Sequence, residues 1–401
     1  MHIGIKIIII TNNKLKKFLD KEIIMSIQVL KPKFDVEACL SQIRECLEKG
    51  WSGMGFKTVE FEEMWKKYTG YKNAYYLNSA TAALNLAFDI LKTEEKWDAE
   101  TEVITTPLTF VSTNHAILKA GLKAVFADVD DTLCLDPESV KERITPKTKA
   151  VCFVAFGGNT GKYKEIVEIC QKHNLKLVLD AAHMAGTRLN GEIPGKEADC
   201  VCWSYQAVKN LPTGDSGMIC FKKDAYDALA RQRAWLGINK DTYARVSANG
   251  SYKWKYDVQY LGNKYNGNAI MAAIAIAQLP HLDEDNEYRR TIASLYKEYL
   301  SVSKKIKFVE VPKECLCSQH IFQIIVDNRD ELLTFLNEHD IYPGVHYITN
   351  TQYPMYSYAA GTCPKADFYS EHVLTLPIHL GVSKEDVKYI SNLVLDFISK
   401  K

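Results

Sequence analysis

Lys209 has the chemistry and the setting of a reactive amine. It lies in the stretch 204–217, Ser-Tyr-Gln-Ala-Val-Lys-Asn-Leu-Pro-Thr-Gly-Asp-Ser-Gly, between apolar runs at 198–203 and 218–221 that we predict to be buried strands. A lysine amine held between two core strands is partly shielded from water, which favours its neutral form and makes it a nucleophile toward an aldehyde. The alternative is an exposed lysine on a polar turn, which is the usual situation of loop lysines.

Asp180 ends another predicted core strand. The run Leu175-Lys-Leu-Val-Leu-Asp180 is typical of a central parallel strand, and ligands of open α/β sheets bind at the carboxyl ends of such strands. An aspartate at this place either caps the next helix or pairs with a cationic group. A functional Asp180 would bind the protonated ring nitrogen of a cofactor and keep that ring electron-withdrawing.

The elements around these two residues predict an α/β fold. Strands alternate with helices from Tyr75 to Phe221, which indicates a mostly parallel sheet covered on both faces. After residue 281, a long charged helix and then short strands and helices predict a smaller α+β domain. No G-x-G-x-x-G occurs, and the Gly-rich turn at 157–161 lacks that spacing, so a nicotinamide-binding Rossmann enzyme is a poor match.

A strand-end Asp, a second strand and a loop Lys form the arrangement expected of an enzyme that holds pyridoxal phosphate as a Schiff base. The matching residues are Asp180-Ala-Ala-His183, Ser204 with Lys209 five residues later, and Thr213-Gly-Asp-Ser-Gly217. Together they resemble the signature of the DegT-type sugar aminotransferases, and the resemblance runs from about Phe34 to the C-terminus.

The resemblance implies the aspartate aminotransferase fold, fold type I of the pyridoxal phosphate enzymes. We therefore expect a large domain with a mostly parallel seven-stranded sheet flanked by helices, and a smaller C-terminal α+β domain. The expected bounds are 25–260 for the large domain and 261–401 for the small one. Family members usually begin close to Ser26, so we expect residues 1–24 to be an N-terminal extension.

The resemblance also assigns residues to pyridoxal 5′-phosphate. Lys209 carries the coenzyme, Asp180 pairs with the ring nitrogen, and His183 lies near the ring and its phenolic oxygen. Phe110 stacks on the ring, although a buried phenylalanine that only packs is the ordinary alternative. The phosphate contacts are Ala80, Thr81 and Ser204.

The phosphate contacts rest partly on local geometry. The stretch 78–84, Asn-Ser-Ala-Thr-Ala-Ala-Leu, passes from small polar residues into a helical pattern, and the free amides of a helix N-terminus favour a phosphate. Ser79 or Thr81 can equally be a plain N-cap. The family motif has Gly where this chain has Ala80.

Two further groups of residues are assigned by the resemblance alone. Lys264 and Asn266 match a segment that reaches across a homodimer to the partner's coenzyme phosphate, although Asn263 replaces its first aromatic residue. The substrate side would be formed by Trp51, His346 and Tyr347. For Trp51 the alternative is an aromatic ring that only fills space in the core, and for His346 it is a structural histidine on a turn.

The implied reaction transfers an amino group from L-glutamate to a keto-deoxy sugar, at C4 or C3, on a sugar nucleotide. Members of a branch that has His at the position of Lys209 catalyse dehydration, so the lysine favours transamination. A lyase or epimerase on the same fold, with dehydratases among them, and a non-catalytic sensor of the coenzyme or of a sugar nucleotide remain as alternatives.

Composition limits the partners. The 401 residues contain 50 basic and 49 acidic side chains, a balance that gives no reason to expect nucleic acid or an acidic membrane, and no apolar run has the length that spans a bilayer. The eleven cysteines include no C-x-x-C pair, and we interpret the one close pair outside the predicted core strands, Cys315 and Cys317, as unrelated thiols and not as a metal site. A reducing cytoplasm fits this usage best.

Overall fold

The computed structural model describes residues 26–239 and 256–401, so the expected extension at 1–24 lies outside the described residues. The strands are β1 (Ile27–Gln28), β2 (Tyr75–Leu77), β3 (Glu102–Thr105), β4 (Lys123–Phe126), β5 (Thr148–Val154), β6 (Lys176–Asp180), β7 (Arg188–Leu189), β8 (Cys200–Ser204), β9 (Gly217–Phe221), β10 (Lys307–Phe308), β11 (Cys315–Leu316), β12 (Phe322–Ile325), β13 (Ile341–Tyr342) and β14 (Val373–Leu376). The α-helices in the described residues are α1 (Val36–Glu48), α2 (Phe56–Thr69), α3 (Ala80–Glu94), α4 (Ser112–Lys119), α5 (Pro137–Arg143), α6 (Tyr163–Lys172), α7 (Asp224–Arg233), α8 (Ala269–Gln278), α9 (Leu282–Leu300), α10 (Arg329–Asn337), α11 (Pro364–His372) and α12 (Lys384–Ser399).

The main sheet confirms the predicted fold class. Seven strands lie in the order β2-β9-β8-β6-β5-β3-β4, and neighbouring strands are parallel except where β9 pairs with β2 and with β8. Helix α3 packs on β8 and β9, α6 on β5 and β6, and α4 on β4. The central strands are continuous apolar runs because helices cover the sheet, and every residue of β8 and β9 is buried.

A second, smaller core forms in the C-terminal part. The antiparallel sheet β10-β12-β14 packs with α9, α10 and α12, and apolar side chains from Ile292 to Ile398 fill the space between them. Strand β1 pairs with β13, so the chain from residue 26 begins beside this second core.

Helix α8 belongs to the first core. It packs on α1 and α2, and its buried residues Ala272, Ala275 and Ile276 join the large cluster of apolar side chains around the main sheet. The predicted domain boundary after residue 260 precedes this helix, whereas the second core begins within α9.

Sheet topology positions the candidate residues. Parallel strands β6 and β8 are neighbours and end in Asp180 and Ser204, so both side chains lie at the same edge of the sheet. The antiparallel return through β9 starts at Gly217, directly opposite Ser204. The turn that carries Lys209 therefore begins and ends at this edge.

Candidate active site

Lys209 lies in the loop 205–216, which connects β8 with β9. The turn is fixed by hydrogen bonds from the Thr213 amide and hydroxyl to the carbonyl of Tyr205, at 2.8 and 2.6 Å, and from the Tyr205 amide to Ser216 O at 2.9 Å. Burial lowers the pKa of Lys209 to about 8, although the negative charge of Asp180 works in the opposite direction. About one tenth of the amine is consequently neutral at pH 7, far more than for an ordinary lysine, and the neutral form is the nucleophile.

Asp180 is buried and faces the same site. Its carboxylate accepts hydrogen bonds from the Thr113 hydroxyl at 2.7 Å and from the Ala182 amide at 3.1 Å. Burial raises the pKa of Asp180, while Thr113, Ala182 and the charge of Lys209 oppose this rise. The charges of Asp180 and Lys209 shift each other's pKa, so the two side chains lie near each other, and their joint action on one coenzyme stays a prediction.

His183 is buried next to this pair. Its Nδ1 accepts a hydrogen bond from the Gly157 amide at 3.2 Å, so the neutral ring carries its proton on Nε2. Nε2 lies 3.2 Å from the hydroxyl of Tyr347. Burial holds the pKa of His183 well below 6.5, and the charges of Lys209 and His346 lower it further. His183 is therefore a neutral hydrogen-bond donor.

The two candidate substrate residues of the small domain reach the same cluster. His346 binds Thr375 Oγ1 through Nδ1 at 2.9 Å, and burial together with the charge of Lys209 lowers the pKa of His346 to about 4. The ring of Tyr347 stacks on that of His183, with 6.2 Å between the ring centroids. Burial raises the pKa of Tyr347. Two residues 164 positions apart, His183 and Tyr347, thus meet at one place.

His320 is a site residue that the sequence analysis missed. Its Nε2 lies 3.4 Å from the amine of Lys209, and its ring lies 4.4 Å from that of His183 between centroids. Its Nδ1 is 2.9 Å from Asn210 Oδ1. Because Asn210 Nδ2 already donates to Ser318 O and to Asn286 Oδ1, Asn210 Oδ1 must accept the proton of His320 Nδ1. The lone pair of His320 Nε2 is thereby directed at Lys209.

The predicted phosphate contacts lie together at the start of α3. Ser79 caps the helix, because its hydroxyl oxygen accepts a hydrogen bond from the Ala82 amide at 3.0 Å. The amides of Ala80 and Thr81 lie in the first turn of the helix, where an amide has no acceptor within the helix. Gly217 of β9 lies between two neighbours in the sheet, opposite Leu77 of β2 on one side and opposite Ser204 of β8 on the other. A Cβ on Gly217 would lie 2.5 Å from the carbonyl carbon of Ser79, so only glycine lets the helix start approach this closely.

Phe110 lies at the opening of the site. Its ring is 57% exposed and lies 5.9 Å from that of Tyr347. A half-exposed ring beside the cluster can cover a flat ligand, and the stacking role of Phe110 stays a prediction.

The segment that contains Lys264 and Asn266 lies beside the end of β2 in the same chain. Asn266 forms a bridge with Leu77, while the amine of Lys264 lies 3.2 Å from the centre of the Trp235 ring. Asn266 Nδ2 donates to the Gly267 carbonyl at 3.0 Å, and its Oδ1 is buried and has no partner among the described residues. The contact of these two residues with a partner subunit's coenzyme stays a prediction.

Trp51 is held at the start of α8. Its indole donates to the Met54 carbonyl at 2.8 Å, and the Ala269 amide binds the carbonyls of Ser52 and Gly53. Helix α8 in turn contacts the Lys209 turn, because the Gly214 amide lies 3.2 Å from the sulfur of Met271. The assignment of Trp51 to the substrate stays a prediction.

The described residues fit pyridoxal 5′-phosphate. Asp180 is a buried carboxylate that forms no ion pair with any described residue, and a protonated ring nitrogen would supply the missing cation. Lys209 offers an amine of lowered pKa, and the start of α3 offers unpaired amides for a phosphate. Among the same residues, no group of three or more His, Cys, Asp or Glu side chains is arranged to hold a metal ion.

Comparison with known proteins places the chain in a family. The model of the DegT/DnrJ/EryC1/StrS aminotransferase family matches residues 34–395. The chain belongs to this family. As a DegT-family protein it is an enzyme of the sugar aminotransferase class, and the family depends on pyridoxal phosphate.

Individual relatives cover nearly the whole DegT-family chain. The spore coat polysaccharide biosynthesis protein SpsC of Bacillus subtilis is 33% identical over 371 residues, which cover 90% of this chain and 94% of that protein. The UDP-4-amino-4,6-dideoxy-N-acetyl-beta-L-altrosamine transaminase of Campylobacter jejuni is 28% identical over 382 residues, with 91% and 95% covered. The solved structure of the aminotransferase TlmJ from Streptoalloteichus hindustanus superposes with a TM-score of 0.86 at 28% identity, covering 94% of this chain and 99% of TlmJ.

No helix in the two described ranges combines the length and the apolar content that crossing a bilayer requires.

Proposed function

We propose that this enzyme transfers an amino group from L-glutamate to the C4 or C3 ketone of a nucleotide-linked deoxy sugar. The observation that carries the proposal is that Lys209, an amine of lowered pKa, lies near the buried carboxylate of Asp180, because the charge of each residue shifts the pKa of the other. The C. jejuni relative acts on a UDP-linked amino-dideoxy sugar, and the B. subtilis relative belongs to polysaccharide biosynthesis. The C. jejuni name supports a role in making amino sugars and the B. subtilis name a role in polysaccharide synthesis, and we extend the proposal to surface polysaccharides such as O-antigen.

Each residue has a task in this proposal. Pyridoxal 5′-phosphate, when bound, supplies the electron sink and carries the amino group between the two substrates. Asp180 keeps the ring nitrogen protonated, Phe110 covers the ring, and His183 donates to its phenolic oxygen through Nε2. Lys209 tethers the coenzyme and, once displaced, moves a proton at the donor's α-carbon.

The phosphate is held by Ala80, Thr81 and Ser204, and, in a homodimer with shared sites, by Lys264 and Asn266 of the neighbouring subunit. The substrate sugar contacts Trp51, His346 and Tyr347. Light scattering tests the dimer, which requires twice the chain mass of 45.5 kDa. A monomer at working concentration would remove the shared contacts from the proposal.

The eleven cysteines are all free and buried, which fits a reducing compartment, and we place the enzyme in the cytoplasm. Cell fractionation followed by immunodetection tests this placement.

The decisive experiment offers glutamate and a panel of keto-sugar nucleotides to the purified enzyme and follows the products by mass. The expected product is an amino-sugar nucleotide, and Lys209→Ala should reduce its formation by at least about three orders of magnitude, because the variant lacks both tether and proton carrier. Lys222→Ala, at an exposed lysine after β9, is the matched control and should keep full activity.

Glutamate alone should also shift the absorbance of the bound coenzyme. If glutamate left that absorbance unchanged while the sugar was dehydrated or epimerised, the lyase or epimerase alternative would replace the proposal. If no keto-sugar nucleotide accepted nitrogen, the protein would be a sensor and not a transferase.

A further inference from the structure

A chain of hydrogen-bonded side chains runs from helix α9 to the amine of Lys209. Oδ1 of Asn286 on α9 lies 2.7 Å from Nδ2 of Asn210. Asn210 Oδ1 lies 2.9 Å from Nδ1 of His320, and Nε2 of His320 lies 3.4 Å from the amine of Lys209. Asn286, Asn210 and His320 are each at most 3% exposed. The proposed transfer gives a task to Lys209 but none to these three buried residues.

Two backbone carbonyl groups fix the direction of this chain. Asn210 Nδ2 lies 2.8 Å from the carbonyl oxygen of Ser318. Asn286 Nδ2 lies 2.9 Å from the carbonyl oxygen of Ala185. A carbonyl oxygen only accepts, so the amide atom next to each of them must be the nitrogen. Asn210 therefore turns its oxygen toward His320, whose Nδ1 carries the proton and whose Nε2 keeps a lone pair.

His320 is neutral at physiological pH. Burial holds its pKa well below 6.5, and the charges of Lys209, His183, His346 and Arg289 lower it further. A neutral imidazole that carries its proton on Nδ1 can only accept at Nε2. His320 is thus a hydrogen-bond acceptor for the amine and not a second cation beside it.

The amine of Lys209 has one hydrogen-bond partner among the described residues, and this partner is His320. Asp180 acts on Lys209 through its charge, while its oxygens accept from the Thr113 hydroxyl and the Ala182 amide. An amine that is free or protonated has several N–H groups to donate. A lysine nitrogen bound to the coenzyme's carbon retains at most one, so the contact with His320 suits the free lysine.

The surrounding backbone holds the acceptor in place. The His320 amide donates to the Gly157 carbonyl at 3.1 Å, and the Gly157 amide donates to Nδ1 of His183 at 3.2 Å. A Cβ on Gly186 would lie 2.1 Å from Asn286 Nδ2, so the amide of Asn286 fits because residue 186 is glycine. The lone pair of His320 is therefore oriented before the lysine amine reaches it.

We propose that His320 is a positioning residue for Lys209: it accepts a hydrogen bond from the amine once the amino donor has displaced the lysine, and Asn210 keeps His320 in the accepting tautomer. The freed lysine takes a proton at Nζ from the donor's α-carbon and passes it on. Nζ is an ammonium ion in between, and a buried ammonium ion is costly without an acceptor. His320 supplies that acceptor and takes no proton itself. This inference rests on the proposed function in one respect, namely that Lys209 carries the coenzyme and the proton.

Labelling of the coenzyme-free protein tests the contact without turnover. Trace acetylation with acetic anhydride from pH 6 to pH 10, read by peptide mass analysis against exposed Lys222, follows the neutral fraction of Lys209. His320→Leu removes the acceptor and favours the neutral amine, so the midpoint should move to lower pH and labelling at pH 7 should rise about three- to tenfold. His339→Leu, at a half-buried histidine whose Nδ1 lies 2.8 Å from the Phe335 carbonyl, is the control and should leave labelling of Lys209 unchanged.

A conservative variant separates positioning from packing. His320→Gln offers an amide oxygen as acceptor, so it should restore a large part of the wild-type midpoint. A side chain that only filled space would give a different result, because His320→Leu would then leave the midpoint unchanged or let water in and raise it. Either of these results, or equal downward shifts in His320→Leu and His320→Gln with intact thermal unfolding, would overturn the proposal.

Nitrogen NMR of the protein labelled with 15N-histidine reads the tautomer directly. The signals of His320, identified by their loss in His320→Gln, should show a protonated Nδ1 and an unprotonated Nε2. Asn210→Leu removes the acceptor of Nδ1 and should abolish this preference. A wild-type ring protonated on Nε2 would contradict the role that we assign to Asn210 and His320.

Turnover supplies a third readout and separates this inference from the proposed function. His320→Leu should lower kcat with glutamate about 10- to 100-fold and leave KM nearly unchanged, because His320 acts on the freed lysine and not on substrate binding. A raised KM with unchanged kcat would overturn the inference. If His320→Leu shifted the labelling midpoint while the wild type aminated no sugar nucleotide, only the proposed function would fail. If the wild type aminated a sugar while His320→Leu changed neither labelling nor kcat, only the role of His320 would fail.

Discussion

The lowered pKa of Lys209 predicts how fast the protein without coenzyme captures pyridoxal 5′-phosphate at different pH values. Only the neutral amine attacks an aldehyde, and with a pKa of about 8 roughly one tenth of the amine is neutral at pH 7. An ordinary lysine with a pKa near 10.5 would be neutral in about one molecule in three thousand at that pH. Burial therefore gives about a 300-fold advantage in reactive amine.

The assay is stopped-flow absorbance of the coenzyme on mixing with coenzyme-free protein between pH 6 and pH 10. The rate constant should rise about tenfold per pH unit and then level off near pH 8. The same reaction with N-acetyl-lysine is the control, because it corrects for the titration of the coenzyme itself. Borohydride trapping and peptide mass analysis confirm that the modified residue is Lys209.

The variant Asp180→Asn tests the direction in which the charge of Asp180 shifts the pKa of Lys209. The charge of Asp180 raises the pKa of Lys209, so its removal should move the plateau to lower pH. A rate that continued to climb in parallel with N-acetyl-lysine up to pH 10 would show that Lys209 is an ordinary solvated amine, and the argument from burial would be wrong.

Two substitutions test how the chain holds the site and the small domain. Gly217→Ala should destabilise the protein by about 1–3 kcal/mol and weaken coenzyme binding, because the new Cβ meets the backbone of Ser79; urea unfolding and coenzyme titration measure both effects. Gly53→Ala, where a Cβ meets nothing within 4 Å, is the control, and equal stability of the two variants would contradict the steric argument. Ser383→Ala removes the capping box that Ser383 and Asp386 form at the start of α12 and should cost about 1 kcal/mol without changing turnover. Ser399→Ala, at the exposed end of the same helix, should cost less, and no difference between the two serine variants would refute the capping role.

The strands of the main sheet and the residues at their ends could be predicted from the sequence. The runs predicted at 175–180, 198–203 and 218–221 are the strands β6, β8 and β9, shifted by at most two residues. Buried parallel strands are continuous apolar runs, and their carboxyl ends meet at one edge. The pattern of apolar runs therefore sufficed to assign Asp180 and Lys209 to one site.

Groups that reach the site through tertiary contacts could not be predicted in this way. His320 lies in a segment whose local pattern indicates a strand, and it carries no motif. Its importance depends on burial and on two partners more than 100 residues away, Asn210 and Lys209. The sequence pattern of Lys264 likewise gives no sign of its position over the Trp235 ring.

The site draws on both cores, and this has a consequence for biosynthesis. Translation produces Asp180 and Lys209 near the middle of the chain, whereas His320, His346 and the Thr375 that orients His346 emerge last. A nascent polypeptide halted near residue 300 would carry Lys209 and His183 but neither His320 nor His346. We consequently expect the chain to bind pyridoxal 5′-phosphate only after its release from the ribosome. Fragments left by premature termination should not compete for the coenzyme.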